Sequence, residues 1–136
     1  MNLSTKARYS VRAMCRLAQT NKNKPIPLSE IAQKEKISLD YLEQLFNKLK
    51  KARLVRSMRG AAGGYILSKK PEEISMGEIV SAVGERVQIN NCAIKKCSRI
   101  DTCPSSLLWQ EMDKKVKETL NKITLADLVK NKIIKT

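Results

Sequence analysis

Histidine is missing from all 136 residues, and aromatic rings are scarce: one Trp, one Phe and three Tyr. Without imidazole the chain lacks the commonest general base and a common transition-metal ligand, which excludes Ser–His or Cys–His hydrolysis and His-ligated zinc. None of its four cysteines forms a C-x-x-C pair, so the usual signatures of thioredoxin-like redox chemistry and of structural zinc are absent too. No paired carboxylates sit in an apolar setting, and Gly60, Gly63 and Gly64 are not followed by the Lys-Ser/Thr of a phosphate-binding loop. These absences argue against an enzyme. No apolar run approaches the roughly 18 residues of a membrane span, and Met1 to Lys6 lead into a charged amphipathic pattern instead of a secretory signal. The expected setting is the cytoplasm, where clustered thiols bind metal more often than they form disulfides.

What is plentiful is positive charge. Lys and Arg number 27 against 13 Asp and Glu, a formal net charge of +14. Residues 1 to 75 hold 16 cations and 6 acids, a net +10, while residues 76 to 136 hold 11 and 7, a net +4. The first half is therefore the half expected to face a polyanion. Lys48, Lys50, Lys51, Arg53, Arg56 and Arg59 follow one another with no acid between them. Such a run either neutralises several phosphates or forms a solvated helix face.

A length of 136 residues suits one core of ordinary size. A first helix is expected from Ser4 or Thr5, with Ala7, Val11, Met14 and Ala18 inward and Arg8, Arg12 and Arg16 on a long exposed basic face. Pro25 and Pro27 break the chain. Leu28, Ile31 and Ala32 then mark a short helix ending near Lys36, and Ser38 caps a second one whose stripe is Leu42, Leu45, Phe46 and Leu49. Asp40, Tyr41, Glu43 and Gln44 lie off that stripe and are expected to project outward, where a helix-turn-helix reads bases. The pattern next shifts to period two around the small-residue loop Gly60 to Gly64, a hairpin whose tip residue Arg59 suits a narrow minor groove.

Ser75 and Glu78 form a capping box, and Ile74 and Ile79 a hydrophobic staple, for a helix through about Gly84. Residues 86 to 103 lose periodicity and contain Cys92, Cys97 and Cys103, with gaps of four and five residues. Thiolates are the preferred ligands of iron-sulfur clusters, and an irregular loop with these gaps can wrap one; zinc or ligand-free redox thiols are the alternatives. Pro104 opens a long helix with Trp109, Met112, Val116, Leu120 and Ile123 on one face, a stripe expected to pair with the same helix of a second chain. Thr124 and Asp127 cap a last short helix. The expected organisation is a mostly α fold with a small β-hairpin wing: a winged helix-turn-helix over 1–85, a cysteine loop over 86–103, a dimerisation helix over 104–122, and a C-terminal element over 123–136 returning to the core.

These residues carry a resemblance. Leu3-Ser4 through Arg8-Tyr9, Ser38-Leu39 with Tyr41 to Phe46, Arg59-Gly60 with Gly63-Gly64-Tyr65, Glu78-Ile79 and Ile123 to Val129 together resemble bacterial regulators of the iron-sulfur cluster regulator (IscR) type, whose relatives include nitric-oxide-sensing NsrR and cluster-free CymR proteins. The resemblance implies a homodimeric repressor on a palindromic operator in double-stranded DNA. It places Ser38, Asp40, Tyr41, Glu43, Gln44, Lys48, Arg59 and Gly60 at the DNA, with Glu43 and Gln44 reading bases and Arg59 in the minor groove. It also implies that Cys92, Cys97 and Cys103 hold a [2Fe-2S] cluster, with [4Fe-4S] as the other form, whose state sets DNA affinity in response to redox, iron-sulfur status or nitric oxide.

The fourth ligand is open. IscR-like proteins offer a His three residues after the last cysteine, where this chain has Ser106, and other relatives use an acid or His of the first helix, where it has Arg8 and Arg12. Cys15 falls on about the face of Arg8 and Arg12, and is either that ligand or a small buried hydrophobe. Asp101, a backbone group and an external thiol are further candidates. The alternative function is a cluster-free regulator of the CymR type, switched by thiol oxidation or by a partner protein. Asp40 and the Ala61-Ala62 pair depart from the IscR pattern, so the operator preference is expected to differ.

Overall fold

The computed structural model describes residues 3–20, 24–60, 63–87, 98–99 and 101–130. Cys92 and Cys97 lie outside the described residues, as do Ala61 and Ala62. The elements run α1 (Thr5–Gln19), α2 (Leu28–Glu35), α3 (Leu39–Lys51), β1 (Val55–Met58), β2 (Gly64–Leu67), a 3₁₀ turn (Pro71–Glu73), α4 (Met76–Ala82), α5 (Pro104–Lys122) and α6 (Leu125–Lys130). This is a mostly helical winged helix-turn-helix with a two-stranded antiparallel hairpin.

The core is built where the inner faces of α1, α3 and α4 meet. Met14, Ile31, Leu42, Leu45, Phe46, Leu49, Ile74, Ile79 and Leu125 are all sealed from solvent. Phe46 of α3 meets the ring of Tyr65 on β2 edge to face, 5.1 Å between centroids, which ties the helix to the wing.

In α1 the buried residues are Ala7, Ser10, Ala13, Met14, Cys15 and Leu17. The stripe expected through Val11 and Ala18 is thus turned by a fraction of a turn, and both of those residues are only half-buried. The basic face is also not free. Arg12 Nε donates to Glu35 at 3.0 Å, and Arg16 Nε donates to the other Glu35 oxygen. Two arginines of α1 therefore clamp the last residue of α2, and Arg12 additionally lies over the Tyr9 ring. Burial works to raise the Glu35 carboxyl, but the Arg16 and Arg12 hydrogen bonds outweigh it and hold the group below its ordinary value.

Two capping boxes lie side by side at the far end of the molecule. Ser75 Oγ accepts from the Glu78 amide while the Glu78 carboxylate accepts from the Ser75 amide. Thr124 and Asp127 repeat the exchange at α6. Backbone bonds from Met76 to Ile123 (2.9 Å) and from Leu125 to Ile74 (2.8 Å) join the two starts, and α6 packs on α1. The long helix α5 divides its apolar residues: Leu120 and Ile123 at its end pack on the core, whereas Leu107, Leu108 and Met112 near its start are 74%, 53% and 40% exposed.

Candidate nucleic-acid interface

The turn between α2 and α3 sets the reading helix. Lys36 closes α2 in the left-handed region at φ 57°, its amide bonding back to Ala32, and Ile37 drops into the core. Ser38 then accepts from the Tyr41 amide as the N-cap of α3. With Leu42, Leu45, Phe46 and Leu49 buried, helical periodicity turns Asp40, Glu43, Gln44, Asn47 and Lys48 to solvent, all exposed.

Tyr41 departs from the outward position expected of it. Its hydroxyl lies 2.8 Å from Thr5 Oγ1, and its ring meets Tyr9 edge to face at 6.0 Å. A phenol half-buried against α1 satisfies its apolar ring and its hydroxyl together, which an outward rotamer would leave in water. Tyr41 therefore holds α3 to α1 and is half-buried, whereas Asp40, Glu43 and Gln44 stand exposed.

The wing stands beside this face because of Ile26. That residue sits between Pro25 and Pro27, neither of which has an amide hydrogen. It exchanges two backbone hydrogen bonds with Tyr65, at 3.0 and 2.9 Å. The approach is possible because Gly64, at φ 155°, has no Cβ to strike the Ile26 carbonyl. An open groove then runs between the helix-turn-helix and the wing, bordered by Ser29, Leu39, Glu43, Asn47 and Tyr65. Asn47 and Ser29 escaped the sequence reading. Asn47 lies four residues after Glu43 and three after Gln44, so the helical period alone would have found it; nothing in the sequence brings Ser29 there.

A run of cations follows along the chain from the end of α3 into the wing. Lys48, Lys50 and Lys51 close α3, Arg53 follows in the left-handed region at φ 63°, and Arg56 and Arg59 run out along β1 to Gly60, all exposed. Among the described residues, no carboxylate pairs with any of these six cations. The arrangement offers hydrogen-bonding side chains for base edges, flanked by uncompensated cations for phosphates.

The two described cysteines, Cys15 and Cys103, do not border this groove. Cys103 is the N-cap residue of α5, partly exposed. The Ser105 hydroxyl, 3.1 Å from its sulfur, and the Ser105 amide hold its thiol below the ordinary value. Ser106 is only 2% exposed, and its hydroxyl donates to the Cys103 carbonyl at 2.8 Å. Cys15 is fully buried in the core. Burial, and then the Glu35 charge, push its thiol up to about 12, which makes the thiolate that a metal requires costly. Of Cys15, Asp101, Cys103 and Ser106, Cys103 is the accessible thiol and Asp101 the accessible carboxylate, both donors that suit iron. Asp101 is exposed nearby. Among the described residues, no three His, Cys, Asp or Glu side chains gather into a metal-holding group.

Comparison with known proteins identifies the family. The family model Rrf2, described as iron-dependent transcriptional regulator, matches residues 3–131. An HTH-type transcriptional regulator IscR from Sodalis glossinidius is 43% identical over 135 residues, spanning 98% of this chain and 82% of the relative. Among solved structures, an IscR of T. potens superposes with a TM-score of 0.79 at 37% identity, covering 96% of this chain and 88% of the other. The oxidized form of Staphylococcus aureus CymR superposes with a TM-score of 0.78 at 36% identity, covering 100% of both.

Proposed function

Because the chain belongs to the Rrf2 family of iron-dependent transcriptional regulators, we propose that it binds a palindromic operator as a homodimer under the control of an iron-sulfur cluster held by Cys92, Cys97 and Cys103. That it is a DNA-binding transcriptional regulator and not an enzyme follows from the relatives it matches along its length. The observation that carries the DNA-reading assignment is the outer face of α3, where Asp40, Glu43, Gln44 and Asn47 stand exposed beside a wing, followed along the chain by six exposed cations that no carboxylate pairs with among the described residues.

In this reading Glu43 and Gln44 face base edges in the major groove, with Asp40 and Ser38 at the helix start and Lys48 on a phosphate. Arg59, ahead of Gly60 at the wing tip, enters the minor groove. The exposed Leu107, Leu108 and Met112 on α5 support the dimer, since an apolar patch at the start of a long helix is covered most simply by its symmetry mate. Two-fold symmetry then presents two α3 helices to two half-sites one helical turn apart or a multiple of it.

Cys103 contributes a thiol inclined to ionise at the head of α5. Ser106 and Cys15 are poorly placed to complete the set: one hydroxyl is engaged by the Cys103 carbonyl and the other residue is sealed in the core. The fourth ligand is then Asp101, a backbone group, an external thiol or a group on the second subunit. Once bound, the cluster supplies a centre sensitive to oxidants, nitric oxide and iron supply. A second reading, a thiol switch of the CymR type, is favoured by the same exposed, acidified Cys103 and keeps the DNA surface unchanged.

The test is the visible spectrum with iron and sulfide analysis of protein purified without oxygen, beside Cys92→Ala. Charge-transfer bands between about 320 and 500 nm that vanish in the variant are expected for a thiolate-held cluster. Colourless protein free of iron and sulfide, even after anaerobic reconstitution, would overturn the cluster and leave the thiol switch.

A further inference from the structure

Ser4 occupies the N-cap position of α1, yet its side chain does not cap that helix. An N-cap serine ordinarily accepts from an amide of the first turn. Here the Ser4 hydroxyl is donated to Glu85 Oε2, and the Ser4 amide donates to Glu85 Oε1 at 3.2 Å. Glu85 comes from the chain just beyond α4, 81 residues away, and lays its carboxylate on the positive end of a 15-residue helix. The Ser4 hydroxyl and then its amide hold that carboxyl below its ordinary value. The next residue, Thr5, holds the Tyr41 hydroxyl, and Tyr41 is the third residue of α3. Consecutive residues at one helix start thus grip the exit of α4 on one side and the first turn of the reading helix on the other.

Glu85 has a second neighbour. Arg86 and Val87 border a shallow cavity with Lys117, Leu120 and Asn121 of α5. Asn121 itself lies so close to Gly77 of α4 that any side chain at 77 would meet it. The helix α5, 19 residues or about 28 Å long, therefore has Cys103 at its head and its tail packed on α4, with Glu85 to Val87 facing that tail across the cavity.

We propose that Glu85 is a positioning residue that links α5 and the cysteine-bearing segment to the reading helix of the same subunit, through Ser4 and Thr5 to Tyr41. This rests on α3 being the base-reading helix. A shift of α5 moves α4, on which its tail packs, and with it Glu85; the Glu85–Ser4 grip moves or releases the start of α1, and Tyr41 carries the change to the turn that bears Asp40, Glu43 and Gln44. A contiguous route of this kind sets DNA affinity only if its elements have two arrangements, so the test measures the link itself.

The experiment is hydrogen–deuterium exchange of the full chain without DNA, which keeps the outcome separate from whether the protein binds an operator. Rates at Tyr41 to Glu43 are divided by the rate at Phe46 in the same helix, so a global loss of stability leaves the ratio unchanged and counts against the proposal. Glu85→Ala is expected to raise the ratio at least about threefold, while Glu85→Gln, whose amide oxygen can accept from the Ser4 amide and whose NH2 can donate to the Ser4 hydroxyl, stays within about twofold of the parent. Alkylating the segment thiols of the iron-free protein with iodoacetamide, with labelling checked by mass, is expected to shift the ratio in the parent and not in Glu85→Ala. Change confined to residues 3–8 and 80–87, no shift on alkylation of the parent, or the same shift in both proteins overturns the link.

Discussion

Ile26 and Tyr65 exchange both of their backbone hydrogen bonds, at 3.0 and 2.9 Å, across the glycine that precedes Tyr65. This one pairing fixes the wing beside the helix-turn-helix. Gly64→Ala would add a Cβ against the Ile26 carbonyl at φ 155°, a conformation that L side chains rarely adopt. The expected result is a loss of at least about 2 kcal/mol in urea unfolding, with weakened DNA binding because Arg59 loses its place. Gly60→Ala, where a Cβ meets open space, carries backbone strain without that collision and is expected to cost less.

Glu35 gives a pH prediction with a definite sign. Its folded value is lowered, so its stabilisation is fully present above the unfolded carboxylate range near 4.3 and is lost as pH falls through the folded value. At pH 7, Glu35→Gln is expected to cost about 1–2 kcal/mol for the charge-assisted bonds to Arg12 and Arg16. Melting temperatures of the two proteins should converge as pH drops below about 4. A constant gap from pH 7 to pH 3 would assign the loss to packing.

Cys15 and Cys103 should separate chemically. Cys15 is buried with its thiol pushed up to about 12, while Cys103 is partly exposed with its thiol lowered. Brief iodoacetamide treatment of the folded, iron-free protein at pH 7, read by peptide mass mapping, is expected to label Cys103 and spare Cys15 until the chain is unfolded. Labelling of native Cys15 would contradict its core placement.

Much of this architecture was legible in the sequence because its signals are local. The capping boxes Ser75–Glu78 and Thr124–Asp127, the proline at the head of α5 and the Leu42–Leu49 stripe each declare themselves within a few residues. What escaped depends on distant partners. Four of the six buried residues of α1, Ala7, Ser10, Ala13 and Cys15, are small and give a weak hydrophobic signal, and Arg12 and Arg16, which read as a free basic face, reach Glu35. Tyr41 reads as an outward residue by period, and only Thr5 and Tyr9, more than 30 positions away, turn it inward. Ile26 pairing with Tyr65 has no local signature beyond its two flanking prolines.

On the outer face of α3, two kinds of substitution should behave differently. Gln44→Ala is expected to relax base preference at one position of each half-site by about 1–3 kcal/mol. Lys48→Ala should weaken all sequences alike and lower the slope of log affinity against log salt by about one. Equal effects of Gln44→Ala on every duplex would remove it from base readout.

The most direct measurement is a fluorescence-anisotropy titration of a duplex enriched from a random pool by the anaerobically purified protein. It is run twice, with the protein as isolated and after its iron is removed by chelation. The account predicts an inverted-repeat duplex whose affinity differs at least about tenfold, or about 1.4 kcal/mol, between the two preparations. Coincident isotherms, at the same affinity for the same duplex, would contradict control of DNA binding by the cysteine-held cluster.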